Sequence, residues 1–309
     1  MDPIIKVTDI AYARFTAPDL DKMETFLIDF GLHRSARTDT ALYMRAHDTD
    51  HHVHITELGE PEFIGLGFHA GSAEDLNTLS RETGHPVLET GEPGGGQMVR
   101  LLDPDGYVID VIHGIDTVEP LPVRNEIVTN FGSEHPRKGD VVRLEPGPAP
   151  CLRLGHAVIH SSDFQASDAF YKRHLGFLNS DVCYDGDDED NIMLAFNRCD
   201  RGDEFVDHHT LLTAPVPEKG LGHIAFEVQD INAIHVGAAH LESKGYKHSW
   251  GVGRHILGAQ IFDYWFDPFG FRVEHWTDGD LLNNASATGV HPYSNRFATQ
   301  WGVTEDERI

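Results

Sequence analysis

Two kinds of hydrophobic pattern take turns along this chain. Residues 9–17 (D-I-A-Y-A-R-F-T-A) alternate apolar and polar positions, as a strand with one buried face does. Pro18 and Asp19 interrupt the alternation. Residues 19–30 (D-L-D-K-M-E-T-F-L-I-D-F) then set apolar side chains three and four apart, the spacing of an amphipathic helix. Gly31 follows, suited to a left-handed helix end. The same succession returns at residues 155–177: strand-like G-H-A-V-I-H, a cap at Ser162-Asp163, helical F-Q-A-S-D-A-F-Y-K-R-H-L, and Gly176.

The repetition continues in order. Asp50-His51-His52 and Asp207-His208-His209 each precede an apolar strand. I-G-L-G-F at 64–68 matches K-G-L-G-H at 219–223, and each leads into a strand and a second helix, predicted over 73–84 and 230–244. L-D-P-D-G-Y-V-I-D at 102–110 matches F-D-P-F-G-F-R-V-E at 266–274, where D-P-x-G makes a tight turn. Four matched segments in one order predict a duplicated α+β chain, with copies at 5–115 and 150–278, each a pair of β-α-β-β-β modules. The polar, Pro-rich 116–149 reads as a linker, and 279–309, which has no period, reads as an arm or a lid.

Composition narrows the classes. At 309 residues there is room for two cores of ordinary size. No apolar run approaches the ~18–20 residues that span a bilayer, and the N-terminus lacks the basic-then-apolar layout of a secretory signal. Three cysteines (Cys151, Cys183, Cys199) with no C-x-x-C pair speak against a disulfide framework or a cysteine-rich zinc site, and fit a reducing cytoplasm. A formal charge of −26 disfavours nucleic acid and anionic membrane as partners. Histidine is plentiful, at 21 residues, so its placement carries the chemical information.

Set side by side, the copies differ where chemistry is at stake. His156 falls against Ala11, His223 against Phe68, and Glu274 against Asp110. Two imidazoles and a carboxylate in the second copy suit a divalent first-row metal with positions left open for ligands. Each histidine follows a glycine and opens a strand-like run; Glu274 closes another.

The motifs G-H-A-V-I, G-L-G-H-I-A-F-E and G-R-H-I-L-G-A-Q-I-F-D-Y-W-F-D-P-F-G-F-R-V-E resemble those of the type I extradiol ring-cleavage dioxygenases, the catechol 2,3-dioxygenase-like enzymes of the vicinal oxygen chelate superfamily. The resemblance covers nearly the whole chain. It implies two tandem vicinal oxygen chelate domains, a first without metal and a second holding Fe(II), or alternatively Mn(II), on His156, His223 and Glu274, with O2 as co-substrate. It implies His209 as acid–base, with His208 as its close rival, and His255 and Tyr264 as hydrogen-bond donors to the substrate. It further implies a small aromatic substrate in aromatic catabolism and a homo-oligomeric assembly. One departure is Asp263, where the family usually carries an apolar residue, and its expected effect is on the pocket wall. Other readings of the same fold are a metal-dependent isomerase or thiol transferase and a metal-free binding protein.

Several features carry less. His156 and His160 stand four apart but in a strand-like run with no Glu after His156, so they are not a helical zinc pair. Residues 91–97 lack the lysine and hydroxyl of a phosphate loop and read as a turn. The acidic run 185–190 reads as a solvated loop. Asp50-His51-His52 reads as a relic, and Arg254 as structural.

Overall fold

The computed structural model describes residues 2–303. The first half forms β1 (Val7–Ala17), α1 (Leu20–Phe30), β2 (His33–Arg37), β3 (Ala41–Arg45), β4 (His54–Leu58), then β5 (Glu62–Ala70), α2 (Ala73–Thr83), β6 (Val87–Glu89), β7 (Gln97–Leu102) and β8 (Val108–His113). The second half repeats the order with β9 (Cys151–Ser161), α3 (Phe164–Leu175), β10 (Leu178–Tyr184), β11 (Ile192–Arg198), the short β12 (Val206–Asp207) and β13 (Leu211–Pro215). Its second module is β14 (Leu221–Val228), α4 (Ile231–Ser243), β15 (His248–His255), β16 (Ile261–Phe266) and β17 (Arg272–Thr277). The α+β architecture of paired β-α-β-β-β modules is therefore as the hydrophobic pattern predicts.

Local chemistry explains the boundaries. Asp19 and Asp163 accept hydrogen bonds from the backbone N–H groups of Lys22 and Ala166, and α1 and α3 both end at a glycine with positive φ, Gly31 and Gly176. Each half is one sheet. The first runs β2-β3-β4-β1-β5-β8-β7-β6, and the second has β10-β11-β13-β9-β14-β17-β16-β15 as its equivalent. The antiparallel pairs β1–β5 and β9–β14 join the two modules of each half at the centre.

Strand register corrects the residue-by-residue match of the halves. Ala13 and Ala157 donate to the equivalent carbonyls of Val53 and Thr210, so His156 corresponds to Tyr12 and not to Ala11. Arg14 pairs with Gly65 where Val158 pairs with His223, so His223 corresponds to Gly65 and not to Phe68. Phe68 corresponds to the core residue Phe226. The match shifts because the G-L-G tripeptides sit at different registers, and because α3 is one residue longer than α1.

The segment 279–303 wraps the second sheet. β18 (Leu281–Leu282) pairs with β12, β19 (Gly289–Pro292) adds to β10, a 3-10 turn spans Tyr293–Phe297, and β20 (Thr299–Trp301) adds to β15. The tail is thus strand-forming at both sheet edges. Residues 304–309 of the predicted tail lie outside the described residues.

A shared core joins the halves. Phe15 packs on Phe271, Phe68 on Phe177, and Phe30 stacks on His275 at 3.8 Å between ring centres. Gly31 lies at this seam with φ +118°, and a Cβ there would stand 1.7 Å from the Ala149 carbonyl oxygen. Gly84, at the end of α2, also has positive φ but open space around it. Gly84→Ala is expected to cost about 1 kcal/mol, the left-handed backbone penalty alone. Gly31→Ala is expected to cost at least about 2 kcal/mol, because a backbone clash adds to that penalty. Denaturant unfolding of both variants checks the difference.

Candidate active site

Glu274 sits on β17 in the middle of the second sheet, fully buried, with β14 on one side and β16 on the other. His156 comes from β9 and His223 from β14. Glycines let the strands close in: a Cβ at Gly155 would stand 2.6 Å from the Trp276 ring, and one at Gly222 2.7 Å from Val158. His156 Nε2 and His223 Nε2 each lie 3.2 Å from Glu274 Oε2, and 3.3 Å from one another.

This triangle fits a metal. An ion about 2.1 Å from three donors at tetrahedral or octahedral angles holds them about 3.0–3.4 Å apart. Glu274 Oε1 is buried without a hydrogen-bond partner and remains available. Burial would raise the Glu274 carboxyl, but hydrogen bonds from His156 and His223 outweigh it and hold the group far below the usual carboxylate range. Among the described residues no other trio of His, Cys, Asp or Glu donors converges so closely. Two nitrogens and one carboxylate oxygen are a donor set that accepts Fe(II) or Mn(II).

The first half answers the same problem differently. Asp110, in the place of Glu274, is buried and receives the Tyr12 hydroxyl at 2.9 Å and the Arg100 guanidinium at 2.7 and 2.8 Å. Arg14 closes the group from 3.9 Å and is held in turn by Glu92. Arg100 pairs across β7–β8 with Asp110 just as Tyr264 pairs across β16–β17 with Glu274. A guanidinium stands in one half where a phenol stands in the other. Comparing positions 100 and 264 was the signal that sequence reading passed over.

A cavity of about 410 Å³ opens over the trio. His209 lines it, its ring 4.1 Å from that of His156. His208 lies behind His209, with its Nδ1 3.1 Å from His209 Nδ1, and does not line the cavity. Burial, reinforced by the nearby His156 and His208, pushes His209 well below the ordinary imidazole range. Tyr264 lines the opposite side with its ring 5.0 Å from that of His223, and its hydroxyl is 3.0 Å from His255 Nε2. Burial drives His255 down to about 3, against the pull of Glu274. Five of the six predicted residues line one cavity, and the sixth, Glu274, lies buried beneath it against His156 and His223.

Much of the remaining wall is aliphatic: Val158, Leu194, Leu212, Leu221 and Leu257. The 3-10 turn of the tail closes one side with Tyr293, Arg296 and Phe297, contributors that no pattern in the sequence marked. His160 also reaches the cavity wall. Asp263 does not. It is wholly buried on the other face of β16, accepting from His248 Nε2 at 2.7 Å and Trp265 Nε1 at 2.6 Å. The expectation that Asp263 alters the pocket wall is corrected by strand alternation: if Tyr264 faces the cavity, its neighbour cannot. Arg254 is structural, donating to the Ala259 carbonyl and the Asp278 carboxylate. His51 and His52 line a separate cavity of about 180 Å³ with His69 and His113.

Comparison with known proteins agrees with this geometry. The model of the Glyoxalase/Bleomycin resistance protein/Dioxygenase superfamily matches residues 153–275, the stretch that carries the trio. Metapyrocatechase 2 of Cupriavidus necator is 29% identical over 301 residues, covering 96% of this chain and 89% of the relative. The iron-dependent extradiol dioxygenase of Rhodococcus jostii (strain RHA1) is 23% identical, covering 91% and 93%. Among solved structures, the Mn(II)-bound glyoxalase from Novosphingobium aromaticivorans superposes with a TM-score of 0.78 at 25% identity, covering 97% of this chain and 92% of that one. With a duplicated fold, a single candidate metal trio among the described residues and similarity to relatives along its whole length, the chain resembles the vicinal oxygen chelate superfamily and, within it, the extradiol ring-cleaving dioxygenases.

Proposed function

We propose that the chain opens the ring of a substituted catechol, or of a related polyhydroxylated aromatic, by extradiol (meta) cleavage with both atoms of O2. The observation that carries this reading is the grouping of the His156–His223–Glu274 trio, an imidazole base and a phenol around one largely apolar cavity. Divalent iron, or alternatively manganese, held by the trio would supply shared coordination of ring oxygen and O2 and a path for electrons between them.

The chain's own residues do the rest. His209 is held neutral by its burial and so has a lone pair with which to take a proton from a ring hydroxyl, and a proton to return later. Tyr264, tied to His255, offers a hydroxyl to the substrate oxygen and fixes where the ionised oxygen lies. The aliphatic walls exclude water and accept an apolar ring substituent. The reading also carries two expectations, a cytoplasmic location and a homo-oligomeric state; sedimentation equilibrium checks the second.

Anaerobic loading with Fe(II), followed by O2 and a panel of catechols, is expected to give O2 uptake with a yellow ring-opened product from at least one member. Metal-dependent O2 uptake by none of them overturns the reading in favour of an isomerase, a transferase or a binding protein.

Two variants separate metal binding from proton transfer. Glu274→Gln removes a ligand, and even outer partners of metal ligands are worth about 10–100-fold in affinity, so the loss is expected to exceed about 100-fold. His209→Asn is expected to keep the metal and lower kcat by about 10²–10⁴-fold, the range for a positioned acid–base group. Metal analysis beside steady-state kinetics checks both.

A further inference from the structure

Behind His209 lies a line of hydrogen bonds that the residues named so far do not account for. His208 is buried between two partners. Its Nδ1 faces His209 Nδ1 at 3.1 Å, and its Nε2 lies 2.8 Å from Asp181 Oδ2 on β10. The other oxygen of Asp181 lies 3.1 Å from His291 Nε2 on β19. Burial alone would raise the Asp181 carboxyl, but the hydrogen bonds from His208 and His291 help bring it below the usual carboxylate value, and both of its oxygens serve as acceptors.

For a neutral His208 the tautomers then follow by elimination. A carboxylate only accepts, so His208 carries its proton on Nε2. A neutral His208 therefore has a bare Nδ1. Two ring nitrogens at 3.1 Å need one N–H and one lone pair between them, so the proton there belongs to His209 Nδ1. The remaining nitrogen of His209, Nε2, is the one left bare.

We propose that Asp181, acting through His208, locks His209 in the Nδ1–H tautomer and so presents its bare Nε2 to the cavity as the proton acceptor. This rests on the reading of His209 as the base of the proposed reaction. In that step the ring O–H proton moves to Nε2, leaving a ring oxyanion and an imidazolium whose Nδ1–H still donates to His208. Asp181 touches no substrate; it is a positioning residue.

The first half of the chain provides an internal comparison. His51 and His52 keep the same contact, Nδ1 to Nδ1 at 3.0 Å. Both β2 and β10 carry a bulge at the same place, and it aligns Asp181 with Ala36. The half without the metal trio has thus kept the histidine pair and lacks the carboxylate. The tail is shaped around Asp181 as well: it pairs with Gly289, where a Cβ would stand 2.1 Å from Asp181 Oδ1 and 2.6 Å from His291 Nε2. Only glycine leaves that hydrogen bond intact.

The test reads the tautomer directly. In metal-free protein labelled with ¹⁵N-histidine, multiple-bond ¹⁵N–¹H spectra are assigned with His208→Gln and His209→Gln. His209 is expected to be protonated on Nδ1 and His208 on Nε2. In Asp181→Asn, whose amide can offer an N–H to His208, or in Asp181→Ala, at least half of His209 is expected to shift to the Nε2–H form.

With Fe(II) loaded, Asp181→Asn is expected to lower kcat by at least about 100-fold at unchanged metal content and KM; the corresponding change in the Ser-His-Asp triad costs about 10⁴-fold. Asp181→Glu is expected to recover at least tenfold of that loss. His209 protonated on Nε2 in the unmodified chain, or an unshifted tautomer in both the Asn and Ala variants, overturns the proposal. Absence of O2 uptake by the unmodified enzyme would instead count against the dioxygenase reading, and the spectra would still decide the tautomer.

Discussion

A carboxylate buried in the middle of a sheet must meet a positive charge, and both halves of this chain are built around one. Leaving such a group uncompensated costs several kcal/mol. Asp110 and Glu274 occupy the same strand position, and the residues around each are chosen by how the charge is met. Around Asp110 the answer is internal: Arg100 binds both oxygens and Tyr12 donates to one. Around Glu274 the partners are two imidazoles that share a single carboxylate oxygen and stand 3.3 Å from each other. Their lone pairs and that oxygen converge on one point, where a divalent ion would meet the charge. The exchange of Arg100 for Tyr264 matters as much as the gain of the histidines, because a guanidinium at that place would bind Glu274 in the ion's stead.

Sheet geometry turns that requirement into a site. Side chains alternate faces, so Tyr264 and Glu274, paired across β16–β17, point the same way, and Asp263 and His275 point the other. The Asp263 carboxylate then needs partners of its own and takes His248 and Trp265. The cavity is left with one ionised carboxylate beneath it, a phenol on one flank and an imidazole on the other.

The fold was readable because its signals are local. Alternation, helical spacing, the caps at Asp19 and Asp163 and the end glycines Gly31 and Gly176 each act within a few residues, and their repetition exposed the duplication. Of the six candidate site residues, His156, His223 and Glu274 stood out in the repeat comparison, and His209, His255 and Tyr264 were implied by the family resemblance. What failed was register. The G-L-G tripeptides invited a match three residues out of step, and one added residue in α3 displaced the alignment of β9. Ala11 and Phe68 were therefore set where Tyr12 and Gly65 stand, whereas Arg100 was overlooked even though the match of 102–110 with 266–274 already set it against Tyr264. Asp181 was invisible for a different reason: its partners come from sequence separations of 27 and 110 residues, one of them in a tail with no periodic pattern.

The half without a metal trio still has a mechanical part in the site. On β17, Glu274 faces the trio and its neighbour His275 faces the first half. There the His275 ring stacks on Phe30 at 3.8 Å and its Nε2 donates to the Phe30 carbonyl at 2.7 Å. Phe30 is the last residue of α1, and Gly31 beside it meets the chain again at Cys151, where β9 begins on its way to His156. Two of the three candidate ligand strands are thus braced from behind by the end of a single helix. Donors only 3.2–3.3 Å apart tolerate little drift if they are to hold an ion. On this view the first half keeps its core and its buried Asp110–Arg100 pair because the wall it provides has to be rigid, whatever has become of its own site.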